Sequence, residues 1–309
     1  MPTIDSSTII KGPAIVTHDG GVYYSEADIS VSMTSEEVEL NSSAYGVVDT
    51  VRKNVAATIK LTPLCFDATS LAKLWPYANT LPGTMLCGGT DKPLVIHTLA
   101  GTKYTFARAA LTKMPQLRCA IDQGLIGEAE WSCCVETGAD LDDAESLVAI
   151  TAAAFADTSF DKSKILRGPY TLAWGSTFDE ILTEAGITVD FAMTANAEAV
   201  DGMGIVDWSA GAIGATASFI PVGVSHADFL TLQTVQGAGN GIGSRGSARA
   251  NDLVITAPGF SLTLIGCAVT SGETRFGDAR MPGQIQMAAH RSWTTGVRNA
   301  LWTLGLNAA

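Results

Sequence analysis

The sequence predicts a mainly β protein of two tandem homologous domains, each a two-sheet antiparallel β-sandwich or half-barrel with one short helix. Three observations carry this. Residues 28–64 recur as residues 186–222: a shift of 158 positions aligns 37 residues without a gap, with identities at Ile29/Ile187, Val31/Val189, Gly46/Gly204, Val48/Val206, Asp49/Asp207, Ala57/Ala215, Thr58/Thr216 and Pro63/Pro221. Apolar residues alternate with polar ones at period two in both copies, as in a strand with one wet face. Glycine-bearing turns separate these runs, and helical spacing is confined to short stretches. The domains are expected over residues 1–160 and 161–309, with an acidic, Ala-rich linker and one helical turn near 138–166.

With 309 residues, 47% of them hydrophobic and 16% charged, the chain is long enough for two globular domains, each with its own core. No apolar run approaches the roughly 20 residues a membrane-spanning helix needs, so no membrane insertion is expected. The net charge of −12 divides as 10 basic against 19 acidic residues up to position 160, and 9 against 12 thereafter. Such a balance repels nucleic acid, where binding would call for a basic footprint. The opening MPTIDSSTII lacks the basic n-region and apolar core of a secretory signal. Cys65, Cys87, Cys119, Cys133, Cys134 and Cys267 form no CxxC pair, and they read as free thiols filling apolar space in a reducing cytosol.

In chain order, Lys11-Gly12-Pro13 and Arg167-Gly168-Pro169 open the two copies ahead of β-rich runs. Asp19-Gly20-Gly21 marks a hairpin turn between AIVTH and VYY. Ile29, Val31 and Met33 alternate with Ser30, Ser32 and Thr34, as do Ile187, Val189 and Phe191 with their neighbours, which predicts a strand in each copy. The polar stretches 35–45 and 193–203 read as protruding loops or hairpins, either solvated or in contact with another subunit. Val55, Ala57, Ile59 and Leu61 give the clearest strand, answered by Ile213, Ala215, Ala217 and Phe219, and Pro63 and Pro221 are expected to end these strands. Asp67 and Ser225 are N-cap residues for one short helix per copy, Ser225 with Asp228 forming a capping box. Leu71, Leu74 and Trp75, or Phe229, Leu230 and Leu232, supply its buried stripe. Two strands then flank a turn at Gly101 or Gly259; GEAEWSCCVE closes copy one, and residues 282–293 are expected to close copy two.

No residue pattern points to catalysis, so the chain is not read as an enzyme. Gly241, Gly243 and Gly246 match GxGxxG, but they lead into a strand, whereas a dinucleotide site needs the loop to open a helix. The stretch reads instead as a mildly basic loop with Arg245 and Arg249. His18, His97, His226 and His290 lack metal-ligand spacing. There is no GxSxG elbow or nucleophile with a neighbouring His. No cofactor or metal is expected, and the Asn41-Ser42-Ser43 acceptor would go unused in a chain that does not enter the secretory route.

GGVYYSEADISVSMTSEEVEL, the following Gly-Val-Val-Asp and the strand NVAATIKLTPL resemble the major tail tube proteins of long-tailed bacteriophages. The resemblance implies domains of two packed antiparallel sheets flanked by a helix, in rings of sixfold symmetry stacked around a continuous β-barrel. A duplicated chain would need three copies per ring. It further implies that strands 28–34, 54–62, 186–192 and 212–220 line the channel, and that 35–45 and 193–203 touch neighbouring domains or the next ring. Implied partners are further copies of the chain, the tape-measure, tail-terminator and baseplate or tip proteins, and DNA that passes without specific binding. The implied place is the virion tail, assembled in the host bacterial cytoplasm. Glu36, Glu37, Glu39, Glu198 and Asp201 are the candidate lumen or inter-ring acids. The competing reading is a β-sandwich binding module such as a head-decoration protein or adhesin.

Overall fold

The computed structural model describes residues 14–64, 68–88, 92–120, 126–135, 147–155, 170–175, 178–200, 204–225, 228–229, 232, 245–246, 250–274, 282–291, 293–294 and 297–305. The fold is mainly β and antiparallel throughout. Strands β1 (Ala14–His18), β2 (Gly21–Ser25), β3 (Ser30–Ser42), β4 (Gly46–Leu61) and β5 (Pro63–Leu64) precede the helix α1 (Ala68–Ala72). Next come β6 (Leu94–Thr98), β7 (Thr102–Phe106), β8 (Arg108–Lys113), β9 (Leu117–Cys119), β10 (Ala129–Cys134) and β11 (Val148–Ala152). The second half contains β12 (Thr171–Trp174), β13 (Leu182–Val200), β14 (Gly204–Val222), β15 (Asn251–Ala257), β16 (Phe260–Thr274) and β17 (Pro282–Ala289). It ends in β18 (Trp293–Thr294), β19 (Val297–Arg298) and β20 (Trp302–Gly305).

In the first half one sheet has the order β11-β7-β6-β1-β2-β5 and faces another of order β3-β4-β10-β8. The strands of the second half run β12-β15-β16-β17-β14-β13, with first-half strand β9 added at the β13 edge and β20 also on β16, and the sheets of the chain include a curled half-barrel. The registers of the halves match. Ile59 faces Trp131 as Ala217 faces Met287. Trp131 faces Leu111 as Met287 faces Val269. Val16 faces Ile96 as Leu172 faces Ile255, and Phe106 lies between Leu94 and Val148 as Leu264 lies between Leu253 and Trp302. The halves differ where the chain passes from one sheet to the other. In the first half, Ala107 separates β7 from β8. In the second, β16 runs unbroken through the bend at Gly266, whose φ of 60° belongs to the left-handed region; a Cβ there would meet the His290 carbonyl at 2.9 Å.

Several elements depart from the sequence reading. The part of the proposed linker that is described holds β11, a strand on β7, because Val148 and Leu147 reach the sheet and core. Pro221 lies inside β14 opposite Thr183, two residues beyond the last pair with β17, where its missing N–H interrupts no β14–β17 bond. The strand at 282–289 is central, between β16 and β14, and the last edge is made by β20. The helices are short: α1 has five residues, and the second is described only around Asp228 and Phe229. There Ser225 is the N-cap as expected, the Asp228 amide donating to its Oγ at 3.2 Å, while the Asp228 carboxylate accepts from the Ser225 hydroxyl at 2.6 Å. The paired Gly-Pro turns, Cys65, Asp67, Leu230 and the 160/161 boundary lie outside the described residues.

The β1–β2 turn follows the Asp-Gly rule, with Asp19 at φ 48° and Gly20 at φ 81°, both in the left-handed region that a two-residue hairpin turn of type I′ requires. Next to it the buried His18 ring contacts the Ala109 carbonyl through Nε2 at 2.9 Å, and its Nδ1 accepts from Trp131 Nε1 at 3.2 Å, which fixes the neutral Nε2–H tautomer. Burial pushes this imidazole below its ordinary pKa of 6.5. Because the unfolded chain then binds the proton more readily, the His18 contribution to stability is complete above pH 6.5. It is lost as the pH falls from 6.5 toward the lowered value, by up to about 1.4 kcal/mol per unit. Urea unfolding between pH 7.5 and roughly 5.5 should show this slope in the wild-type chain and a weaker one in His18→Gln; equal slopes would exclude His18 as its origin.

Candidate assembly interface

Among the described residues, the outer part of the β3–β4 hairpin is almost wholly exposed. Its strands pair from Ser30↔Lys60 to Ser42↔Gly46, leaving a turn of Ser43, Ala44 and Tyr45. Of the loop or hairpin expected over 35–45, the structure has the hairpin, with strand pairing almost to its tip. The register slips between Glu36 and Glu37 and again between Leu40 and Asn41, each time with an extra residue on β4, so the alternation of β4 is interrupted while β3 keeps its period of two. Past the first slip the apolar residues change face. Val31 and Met33 share one face at the base, while Val38 and Leu40 lie on the other alongside Val51. All five are exposed, as are Tyr45, Val47 and Val48 at the tip. Eight large apolar side chains thus meet solvent on this hairpin.

The second-half hairpin, β13–β14, is buried at its base, where the first is exposed. Val31 is 41% exposed and its equivalent Val189 is 0%; Met33 is 48% exposed and its equivalent Phe191 is 6%. The cover comes from the first half. Strand β9 extends the edge of β13, with Leu117 facing Val189, Arg118 facing Thr188 and Cys119 facing Ile187. Phe191 sits between Trp75 and Trp302, with ring centroids 5.4 Å and 4.9 Å away. Trp302 Nε1 donates to the Trp75 carbonyl, and Trp75 Nε1 to the Pro115 carbonyl. One buried cluster consequently includes residues of both halves.

Farther along the same hairpin, loop 81–87 lies on β14. The Gly83 amide donates to the Ala210 carbonyl at 2.6 Å, the Leu86 amide to Trp208 at 2.7 Å, and the Ala210 amide back to Thr84 at 2.9 Å. At the centre of this junction Asp207 and Arg108 are both buried, with Arg108 Nη2 3.3 Å from Asp207 Oδ2 and Nη1 donating to the Val206 carbonyl at 2.8 Å. Asp207 Oδ1 accepts from the Trp208 and Cys87 amides. The pairing is what permits two charges to leave water; removing either partner would strand the other.

The nominated acids divide between the two hairpins. Glu36 and the Glu37/Glu39 pair point to opposite faces of the first, and Glu37 is 3.9 Å from Arg52 in an exposed ion pair. Glu198 accepts from the Ser209 hydroxyl on the second hairpin, beside the junction, and Asp201 lies outside the described residues. The wet face of the strands assigned to the channel has a different chemistry. Ser30, Ser32, Thr34 and Thr58 line it in the first half, with Lys60 held 3.1 Å from Glu130. In the second half a row of Arg118, Thr188, Ser218 and Gln286 crosses β9, β13, β14 and β17. This face is rich in hydroxyls and amides, and its Lys60 and Glu130 charges are paired.

Sequence reasoning missed the junction. Asp207 was visible in the repeat because Asp49 matches it, but nothing in the sequence tied it to Arg108, 99 residues away. Among the described residues no group of three His, Cys, Asp or Glu side chains converges on a metal-sized site. No protein-family model and no curated protein matches the chain.

Proposed function

We propose that the chain is a structural protein that polymerises: three copies join head to tail into a closed ring of six similar units, and rings stack into a tube, as in a phage tail that conducts DNA. The observation that carries this reading is the contrast between equivalent hairpins. The second is sealed by the first half of its own chain, whereas the first presents the same strand edge and an apolar surface to solvent. The second half of another copy is the natural cover for it, through strand addition at the β3 edge. Repeating one head-to-tail contact closes a ring if the rotation is right, and removes the exposed edge at every step. A hydroxyl-rich channel face with few unpaired cations suits a conduit for a polyanion, since free Lys and Arg would hold phosphates.

Mass measurement on rings released from assembled protein tests the reading. Three chains per ring are expected. Rings of six chains, a twofold dimer, or a chain that stays monomeric at every concentration and salt condition would overturn it, and the last result would favour a binding module.

A further inference from the structure

Resting on the assembly reading above, we infer that Asp49 of one copy is bound by Arg245 of the next, an ion pair that does between chains what Arg108 and Asp207 do within one. Asp49 and Asp207 occupy the same place in the repeat, and each carboxylate accepts from the amide of the following residue, at 2.8 Å from Thr50 and 2.7 Å from Trp208. Asp207 is then covered and receives the Arg108 guanidinium, while Asp49 lies exposed on the uncovered hairpin. A copy docking there would bury Asp49 in the same way, and a buried carboxylate needs a counter-charge.

The docking half cannot supply that charge from the Arg108 position. In the matched registers Ala109 and Cys267 are equivalent, so Arg108 corresponds to Gly266. Gly266 sits at the positive-φ bend of β16 against the His290 carbonyl, where a side chain has no room. The alternative source lies at the neighbouring position of the same junction. Cys87, whose amide reaches Asp207, packs against Cys134 with sulfurs 3.8 Å apart. Register places His290 where the first half has Cys134, and Gly246 lies against His290, with 3.0 Å from an ideal Cβ to Nε2. Residues 245–246 therefore stand where residues 86–87 stand in the internal junction, within reach of the equivalent of Asp207. Arg245 is exposed there. It is also the first Lys or Arg after Arg167, so no other basic residue intervenes over that stretch of the second half.

The test is a charge exchange in the full-length chain, read by light scattering and negative-stain microscopy. Asp49→Arg and Arg245→Asp should each raise the concentration needed for assembly roughly 30-fold or more, with unchanged thermal melting of the monomer, and the double variant should regain assembly near the wild-type threshold. Either single variant assembling like wild type would overturn the pair and leave the ring reading standing. A double variant as defective as the singles would also overturn the pair. A wild-type chain that never assembles would sink the ring reading, and the pair with it.

Discussion

Replacing residues 36–54 with Asn-Gly will give a chain that folds as a monomer and no longer forms rings. The cut is placed where Ser35 faces Val55, so a two-residue type I′ turn can close the shortened hairpin without changing the register below it. Apart from the half-buried Ser42, every removed side chain with an assigned environment is exposed, so the core built on Ala57, Ile59 and Leu61 stays intact. The change in monomer stability should remain within about 1 kcal/mol. Assembly responds differently, because the excised part carries Val38, Leu40, Tyr45, Val47, Val48, Val51 and Asp49. Loss of roughly 3 kcal/mol or more of contact free energy raises the assembly threshold about a hundredfold or beyond. Sedimentation velocity across a concentration series measures both quantities, and rings formed by the shortened chain at the wild-type threshold would show that the hairpin is not the contact.

Phe191→Ala should destabilise the chain by about 3–5 kcal/mol, whereas Met33→Ala at the equivalent position should cost the monomer at most about 0.5 kcal/mol. Phe191 is held between two indoles, and its removal leaves a cavity that Trp75 and Trp302 cannot fill, since hydrogen bonds to Pro115 and Trp75 carbonyls fix both rings. Met33 has no such surroundings before assembly. Urea denaturation of both variants in the monomeric state gives the comparison. A loss below about 1 kcal/mol for Phe191→Ala would show that the halves do not depend on this packing.

Elements whose pattern is local were legible in the sequence. The alternation at Val55, Ala57, Ile59 and Leu61, the Asp19-Gly20 turn and the Ser225–Asp228 cap each need only a few neighbouring residues. The lengths of β3 and β13 were not legible, because their outer parts show no steady apolar alternation and the bulges there lie on the partner strands β4 and β14. The junction was harder still. Leu117-Arg118-Cys119 is too short to show a period, and its partner strand begins 65 residues after it begins. Trp75 was legible as an apolar helix face, but its burial against Phe191 depends on how two halves of the chain meet. The acids chosen from composition fall on the hairpins, while the face of the channel-assigned strands carries mostly Ser and Thr, residues whose pattern resembles any solvated strand.

The junction in which β9 completes β13 forms between parts of one molecule, and this changes the thermodynamics of the proposed ring of six units. Six separate subunits would have to surrender independent translation and rotation at each joining step, an estimated loss of about 4–15 kcal/mol each time. With alternate junctions already made during folding, only three chains have to meet. The concentration of rings at equilibrium should accordingly rise with the third power of the free chain concentration instead of the sixth, so that rings can form from a more dilute pool.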